Sequence, residues 1–174
     1  MKKVFILAYM GLLIAMYTLL AHIVPVVKVD TLQISFGFVP LGFGSMLLGP
    51  IIGGIVGAIG DIIGMILAPK GAYFPGFTLD VFLAGMIYGM FLYKKPKTVL
   101  RISLAVLCVN VFVNIGLNTY WLTIILGKGY MAMLPGRIIK NVLMMPVQIS
   151  VLYLMWRYAG CQIEKYIMRH PSSV

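Results

Sequence analysis

The sequence is poor in charged residues, and above all in acids. Only 4 Asp and Glu stand against 14 Lys and Arg, and charged residues make up 10% of the 174 residues, whereas soluble domains carry about 25%. This composition excludes a soluble catalytic domain, because such a domain needs a charged and polar surface. Cys108 and Cys161 stand far apart in the chain, so they form neither a metal-binding spacing nor a disulfide framework.

Several motifs of common chemistries are also missing. The chain has no G-x-x-x-x-G-K-[ST], no H-E-x-x-H and no G-x-S-x-G, which disfavours a nucleotide-driven motor, a zinc protease and a serine hydrolase of those types. His22 and His170 are isolated, so no metal site is predicted. The two halves of the chain show no convincing inverted repeat, which disfavours a self-sufficient secondary transporter. We therefore expect neither an enzyme nor a protein with a cofactor.

Most of the sequence consists of long apolar runs. Hydrophobic residues make up 61% of the chain and the mean hydropathy is +1.03. A membrane-spanning helix needs ~20 residues, so the chain holds about six. Spans 1 to 6 are predicted at residues 4–24, 34–48, 51–68, 77–93, 99–122 and 135–158, and Gly49-Pro50 alone divides span 2 from span 3. The predicted fold is an all-α integral membrane protein, a single six-helix domain over residues 1–174.

The distribution of basic residues predicts the orientation. If the N-terminus lies inside, the inner side holds Lys2, Lys3, Lys94, Lys95, Lys97, Arg101, Arg157, Lys165 and Arg169. The outer loops hold only Lys28, Lys70 and Lys128. Basic residues gather on the cytoplasmic side of membranes, so both termini are predicted to be cytoplasmic. This rule explains the net charge of +10 without a nucleic-acid partner; the predicted surrounding is the lipid bilayer of a bacterial plasma membrane.

Polar side chains within the spans mark a candidate binding site. Asn110, Asn114 and Asn118 follow at four-residue spacing along one face of span 5, and Trp121 continues that face. Span 5 runs outward and span 6 inward. Asn118 and Trp121 are therefore expected at the same depth as Arg137 and Lys140, the two cations of span 6. The alternative is that these amides only bond neighbouring helices.

Four charged residues are expected at a similar depth, in the outer half of the membrane. Arg137 and Lys140 lie in span 6, Asp61 in span 3 and Asp80 in span 4. Charges inside a membrane are costly and usually functional. Arg137 and Lys140 could instead snorkel to the outer surface, and Asp61 could merely neutralise a base or cap a helix. Together with Asn118 these residues predict an outward-facing cup.

Aromatic residues flank the predicted cup. They are Tyr73, Phe74, Phe77, Tyr120 and Trp121. An aromatic belt at the membrane interface is the alternative, but flat walls with a few directed polar groups suit a planar heterocyclic ligand. Lys70 joins the two cations of span 6 against two acids, so the cup is mildly positive. This favours a ligand with carboxylates at one end and a donor-rich ring at the other.

Small residues form stripes on two spans. In span 3, glycines recur every three or four residues from Gly49 to Gly64, which favours close packing inside the bundle. In span 1 the corresponding residues are Ala8, Gly11 and Ala15. For this second stripe, packing within the bundle and docking of an external helix remain open.

Short motifs in order along residues 4–160 carry a family resemblance. They are Phe36-Gly37-Phe38-Val39-Pro40-Leu41, Gly49-Pro50, Gly60-Asp61-Ile62-Ile63-Gly64, Tyr73-Phe74-Pro75-Gly76-Phe77-Thr78, Gly85-Met86-Ile87-Tyr88-Gly89, Leu117-Asn118-Thr119-Tyr120-Trp121-Leu122 and Arg137-Ile138-Ile139-Lys140. With these motifs the chain resembles the substrate-binding S components of energy-coupling factor (ECF) vitamin transporters, and within them the folate-specific branch.

The resemblance implies six helices with both ends inside and a vitamin site at the outer side. It also implies partners, namely a shared transmembrane coupling subunit and two ATPase subunits. The family's docking signature is Ala-x-x-x-Ala on the first helix. This chain departs from it with Gly11-x-x-x-Ala15 and Ala8 one turn earlier, which leaves the register of docking open.

The resulting hypothesis is a folate-binding subunit. The pterin donors would meet Asp61 or Asp80 and the amides, which include Asn114 and Asn118. The aminobenzoate would stack on Tyr73, Phe77, Tyr120 or Trp121. The glutamate carboxylates would meet Lys70, Arg137 or Lys140. The alternatives are an S component for another vitamin, such as pantothenate or riboflavin, and a scaffold without a ligand.

Overall fold

The computed structural model describes residues 2–24, 27–29, 32–69, 73–127 and 129–160. Its helices are α1 (Lys2–Thr18), α2 (Phe38–Leu48), α3 (Pro50–Leu67), α4 (Pro75–Leu92), α5 (Val99–Cys108), α6 (Asn118–Leu126) and α7 (Tyr130–Met155). Three π-helical segments extend them: Leu19–Ile23 follows α1, Val109–Leu117 joins α5 to α6, and Trp156–Gly160 follows α7. The chain in this part of the protein is thus a bundle of six consecutive helical rods.

Five of the rods are long and apolar enough to cross a membrane, and α2 is a shorter apolar helix. The prediction of an all-helical membrane bundle is therefore confirmed. The boundaries of span 2 were wrong, because α2 has 11 residues and begins at Phe38. Residues before it form a small antiparallel hairpin of β1 (Val27–Val29) and β2 (Leu32–Ile34), in which Val27 lies opposite Ile34.

The last helix begins earlier than predicted. It starts at Tyr130 and contains both Pro135 and Pro146 in its interior. A proline lacks the N–H that would bond to the carbonyl four residues earlier, but membrane helices tolerate this where neighbouring groups compensate. The predicted start at residue 135 was therefore wrong, and α7 brings an additional turn and a half to the bundle.

The glycine stripe of α3 lies against three other helices, as predicted. A β-carbon on Gly57 would lie 2.5 Å from Leu41 of α2 and 2.8 Å from Val81 of α4, and one on Gly60 would lie 2.7 Å from Tyr17 of α1. Backbones this close need residues without side chains. The stripe thus sets α3 at the centre of one half of the bundle, where it positions Asp61.

The small residues of α1 have a different environment. Ala8, Gly11 and Ala15 are all exposed, and a β-carbon on Gly11 would meet no atom within 4 Å. The opposite face of the same helix carries Leu13 and Tyr17, both buried. Within this structure the stripe is therefore an open face of the bundle and not an internal packing surface.

Candidate functional site

A polar cavity opens between the rod formed by α5 and α6 and the first half of α7. Asn114, Asn118, Arg137, Lys140 and Asn141 line it; we call it the amide cavity. It is small and partly open, with room of about 20 Å³ for water-sized molecules, far below the ~300–1,000 Å³ of a site for a whole drug-sized ligand. The cavity therefore has room for a small polar group and not for a whole ligand.

The π-helical segment holds Arg137 at this cavity. One terminal nitrogen of its guanidinium, Nη1, donates to the backbone carbonyl of Asn114 at 3.2 Å and to Thr119 Oγ1 at 3.0 Å. Thr119 is fully buried and its hydroxyl lies 3.3 Å from the same carbonyl. Short π segments occur often at functional sites, and here one supplies the acceptor that fixes a cation.

The two cations of the cavity form no ion pair in the described ranges. Arg137 and Lys140 are both partly buried, and Asp80 is near enough for its charge to act on Arg137. Unpaired positive charge within a membrane is unfavourable unless a counter-charge or water reaches it. The amide cavity is therefore suited to an anionic group, such as a carboxylate.

Asp80 lies beside the amide cavity, but both of its carboxylate oxygens already accept hydrogen bonds from other side chains. Its two oxygens accept hydrogen bonds from Asn118 Nδ2 at 3.0 Å and Trp121 Nε1 at 3.1 Å. The residue is 3% exposed. These bonds join α4 to α6, and they orient the amide of Asn118 and the indole of Trp121 at the site.

Asp61 forms a second polar cluster with residues of α4 and of the segment after α1. Its carboxylate accepts from Thr78 Oγ1 at 2.8 Å and pairs with His22 Nε2 at 3.2 Å. Tyr73 Oη lies 3.3 Å from Thr78 Oγ1. We call His22, Asp61, Thr78 and Tyr73 the histidine cluster. The prediction that His22 is isolated was therefore wrong. Packing of α1 on α3 brings it to Asp61.

Aromatic side chains lie between these polar groups, and we call them the aromatic row. The ring of Phe74 lies 5.4 Å from Trp121 and 6.0 Å from Phe77, measured between centroids, and Tyr120 lies 5.3 Å from Trp121. A β-carbon on Gly76 would lie 2.7 Å from Trp121, so this glycine lets α4 approach the indole. Four of the five predicted aromatic residues thus form one contiguous surface.

Below the cavity, amide side chains connect α7 to the π segment. Asn110 Nδ2 donates to Gln148 Oε1 at 3.1 Å, and Asn114 Nδ2 donates to Asn110 Oδ1 at 2.8 Å. Asn110 and Gln148 are buried. For Asn110 the alternative of helix–helix bonding is therefore the one that the structure supports, whereas Asn114 both bonds and lines the cavity.

The structure brings most of the predicted site residues together, in two groups. Asn114, Asn118, Arg137 and Lys140 share the amide cavity, while Asp61 and Tyr73 lie in the histidine cluster. Lys70 lies outside the described residues. Sequence reasoning missed His22, Thr78 and Thr119 as site residues, since a hydroxyl or an imidazole in an apolar helix has no distinctive pattern around it.

Comparison with known proteins gives a consistent family. Residues 6–156 match the model of the family described as "ECF transporter, substrate-specific component". The Folate transporter FolT of Clostridium novyi is 40% identical over 157 residues, which is 90% of this chain and 91% of the relative. The Folate transporter FolT of Leuconostoc mesenteroides is 32% identical over 152 residues, covering 84% and 81% of the two chains.

A solved structure supports the same grouping. A crystal structure of FolT bound with folic acid superposes with a TM-score of 0.81 at 42% sequence identity, and the match covers 86% of this chain and 90% of the other.

Proposed function

This chain belongs to the family of substrate-specific components of ECF transporters, and we propose that it is the subunit that captures folate for uptake across the cell membrane. Its relatives are transporter components and not enzymes. The observation that carries the proposal is the pair of cations, Arg137 and Lys140, which form no ion pair among the described residues and lie in an amide-lined cavity next to the aromatic row.

Folate matches this arrangement group by group. Its glutamate carries two carboxylates, which suit Arg137 and Lys140 through charge-assisted hydrogen bonds. Its aminobenzoate is planar and suits Phe77, Trp121 and Tyr120. Its pterin has amino and ring N–H donors, which suit a carboxylate. The FolT relatives support this ligand over pantothenate or riboflavin.

The chain would depend on partner subunits for energy. We propose that a transmembrane coupling subunit docks on the exposed face of Ala8, Gly11 and Ala15, with two ATPases attached to it. The open surroundings of Gly11 support this, since helices approach closely at small residues. The sequence itself holds no P-loop.

We also propose that the site opens outward while both termini lie in the cytoplasm. The support is the position of the bases. Lys94, Lys95 and Lys97 lie in the turn between α4 and α5, and Arg101 lies in the first turn of α5. All four are at the opposite end of α4 from Asp80. Lys97 Nζ lies 4.0 Å from the centroid of the Trp156 ring, so the end of α7 is at this same basic end. Basic residues favour the cytoplasmic side.

Reconstitution tests this function. Liposomes that contain this chain alone should bind labelled folate up to the amount of protein present but should not accumulate it, because no energy source is coupled to the site. Adding the coupling and ATPase subunits with ATP should give uptake beyond that amount. Sustained uphill accumulation by the chain alone would contradict the proposal, as would an absence of folate binding in both preparations.

A further inference from the structure

Two cations lie together at the end of the bundle that is opposite to the amide cavity. Lys97 directly precedes the N-cap of α5 and Arg101 lies in the first turn of that helix; we call them the α5 cations. Both are half-buried. Asp61 and Asp80 lie at the other end of the bundle, and Arg101 forms no ion pair among the residues that the structure describes. The charge of Arg101 is therefore available to an anion from outside the bundle.

An indole holds Lys97 in place at this end. The Lys97 Nζ atom lies 4.0 Å from the centroid of the Trp156 ring, within the range of a cation–π contact, and Trp156 itself packs against the buried core. Lys94 Nζ forms a second contact of this kind, 5.2 Å from the centroid of the Tyr93 ring. Tryptophan and tyrosine concentrate at the level of the lipid headgroups. Both contacts therefore place the α5 cations at headgroup depth.

An exposed apolar face of α5 and the π segment leads away from the α5 cations. Its residues follow one another at helical spacing and are all exposed; we call them the leucine stripe: Leu100, Leu104, Leu107 and Val111. The opposite face of α5 belongs to the core, with Ile102, Ala105 and Val106 fully buried. In a helix that crosses the membrane, an exposed apolar face meets lipid chains. The surface thus joins a track for an acyl chain to positive charge at headgroup depth.

The leucine stripe lies away from the surface that we assign to the coupling subunit. Helix α5 packs against α4 and α7, whereas α1 packs against α2 and α3. A helix docked on the open face of α1 therefore leaves the stripe in contact with lipid.

We propose that the α5 cations and the leucine stripe form a binding site for one anionic phospholipid. The headgroup phosphate accepts charge-assisted hydrogen bonds from Lys97 and Arg101, and an acyl chain lies along the stripe. A zwitterionic lipid offers the same phosphate, but its own cation offsets the attraction. The site depends on the membrane-spanning bundle and not on the vitamin that the protein carries, so it stands or falls separately from the proposed function.

The fluorescence of Trp156 can report on this site. The chain has two tryptophans, so Trp121→Phe leaves Trp156 as the only one. This protein is placed in vesicles of phosphatidylglycerol and phosphatidylcholine, in which one lipid or the other carries bromine atoms that quench a nearby indole. The ratio of quenching gives the relative affinity of the two lipids beside Trp156. We expect phosphatidylglycerol to be preferred at least about fivefold, the factor that one basic residue contributes near an anionic lipid.

Substitutions in the same turn separate a bound headgroup from general attraction by surface charge. Lys97→Gln and Arg101→Gln should each lower the preference about fivefold, and Lys97→Arg should keep it, because arginine retains the charge and the contact with the indole. Lys95→Gln is the matched control. Lys95 Nζ donates to the carbonyl of Met90 at 2.8 Å, so this ammonium is bound to the end of α4, and its loss should change the preference less than about twofold.

Three results would overturn the inference. The first is equal quenching by the two brominated lipids in the protein without further substitutions, which indicates that ordinary lipid or another protein covers the stripe. The second is an equal fall for Lys95→Gln and Lys97→Gln, which indicates attraction by surface charge alone. The third is a preference that survives both Lys97→Gln and Arg101→Gln. Thermal unfolding controls for folding in each variant.

Native mass spectrometry of the wild-type chain provides a measurement that needs no variant. With equal amounts of the two lipids in detergent, the protein should retain one phosphatidylglycerol in preference to phosphatidylcholine. Equal retention of both lipids would contradict the inference.

Discussion

Replacing Arg137 by alanine should weaken folate binding by roughly 10- to 150-fold. A hydrogen bond to a charged group contributes about 1.5–3 kcal/mol, and each 1.4 kcal/mol is a factor of ten in affinity. The guanidinium is fixed by the carbonyl of Asn114 and by Thr119 Oγ1, so it needs no reordering before it meets a carboxylate. Isothermal titration of wild type and Arg137→Ala with folate measures the change.

Pteroate, which lacks the glutamate, completes a double-mutant cycle. It should bind wild type more weakly than folate does, and Arg137→Ala should hardly change its affinity. Arg157→Ala is a matched control, because it removes an exposed arginine from the π-helical segment that follows α7, far from the amide cavity. If Arg137 only snorkels to the surface, folate affinity will stay while thermal stability falls. Equal losses for folate and pteroate would assign the glutamate to another residue.

We expect the second large effect, a loss of folate uptake, from substitutions on the open face of α1. Ala15→Leu or Gly11→Leu should reduce folate uptake by the assembled transporter to background, and the dissociation constant for folate should change less than about twofold. Added side chains keep a partner helix from close approach. The isolated subunit accommodates them because both positions are exposed and a β-carbon on Gly11 would contact nothing within 4 Å.

A control variant shows whether the effect belongs to this face. Ala132→Leu adds the same side chain to an exposed alanine on α7 and should leave uptake unchanged. Uptake by the α1 variants and by this control is measured with the same partner subunits, and co-purification reports assembly. Unchanged uptake in Ala15→Leu and Gly11→Leu would show that the partner docks elsewhere.

Periodicity and span direction were enough to predict that Asn118 lies at the level of Arg137 and Lys140, whereas Asp61, predicted in the same cup, lies in the histidine cluster. Asn114 and Asn118 repeat at helical spacing, and neighbouring antiparallel helices place Arg137 and Lys140 at their level. The same reasoning predicted that the α3 glycines pack inside the bundle. Both predictions need only the repeat of a helix and the order of the spans.

The histidine cluster could not be found in this way. His22 and Asp61 lie 39 residues apart on helices whose relative rotation depends on how Tyr17 and Gly60 pack. The π segment Val109–Leu117 has no sequence signature, yet its carbonyl at Asn114 fixes Arg137. The hairpin before α2 was also missed, because three-residue strands between apolar helices read as part of a loop and of the next span.

Saturation binding of labelled folate to the detergent-purified chain tests the account most directly, with unlabelled folate, pantothenate and riboflavin as competitors. The account predicts one folate per chain, displaced by unlabelled folate and not by the other two vitamins, with no ATP and no partner subunit present. Absence of saturable folate binding, or displacement by pantothenate or riboflavin at equal concentration, would contradict it.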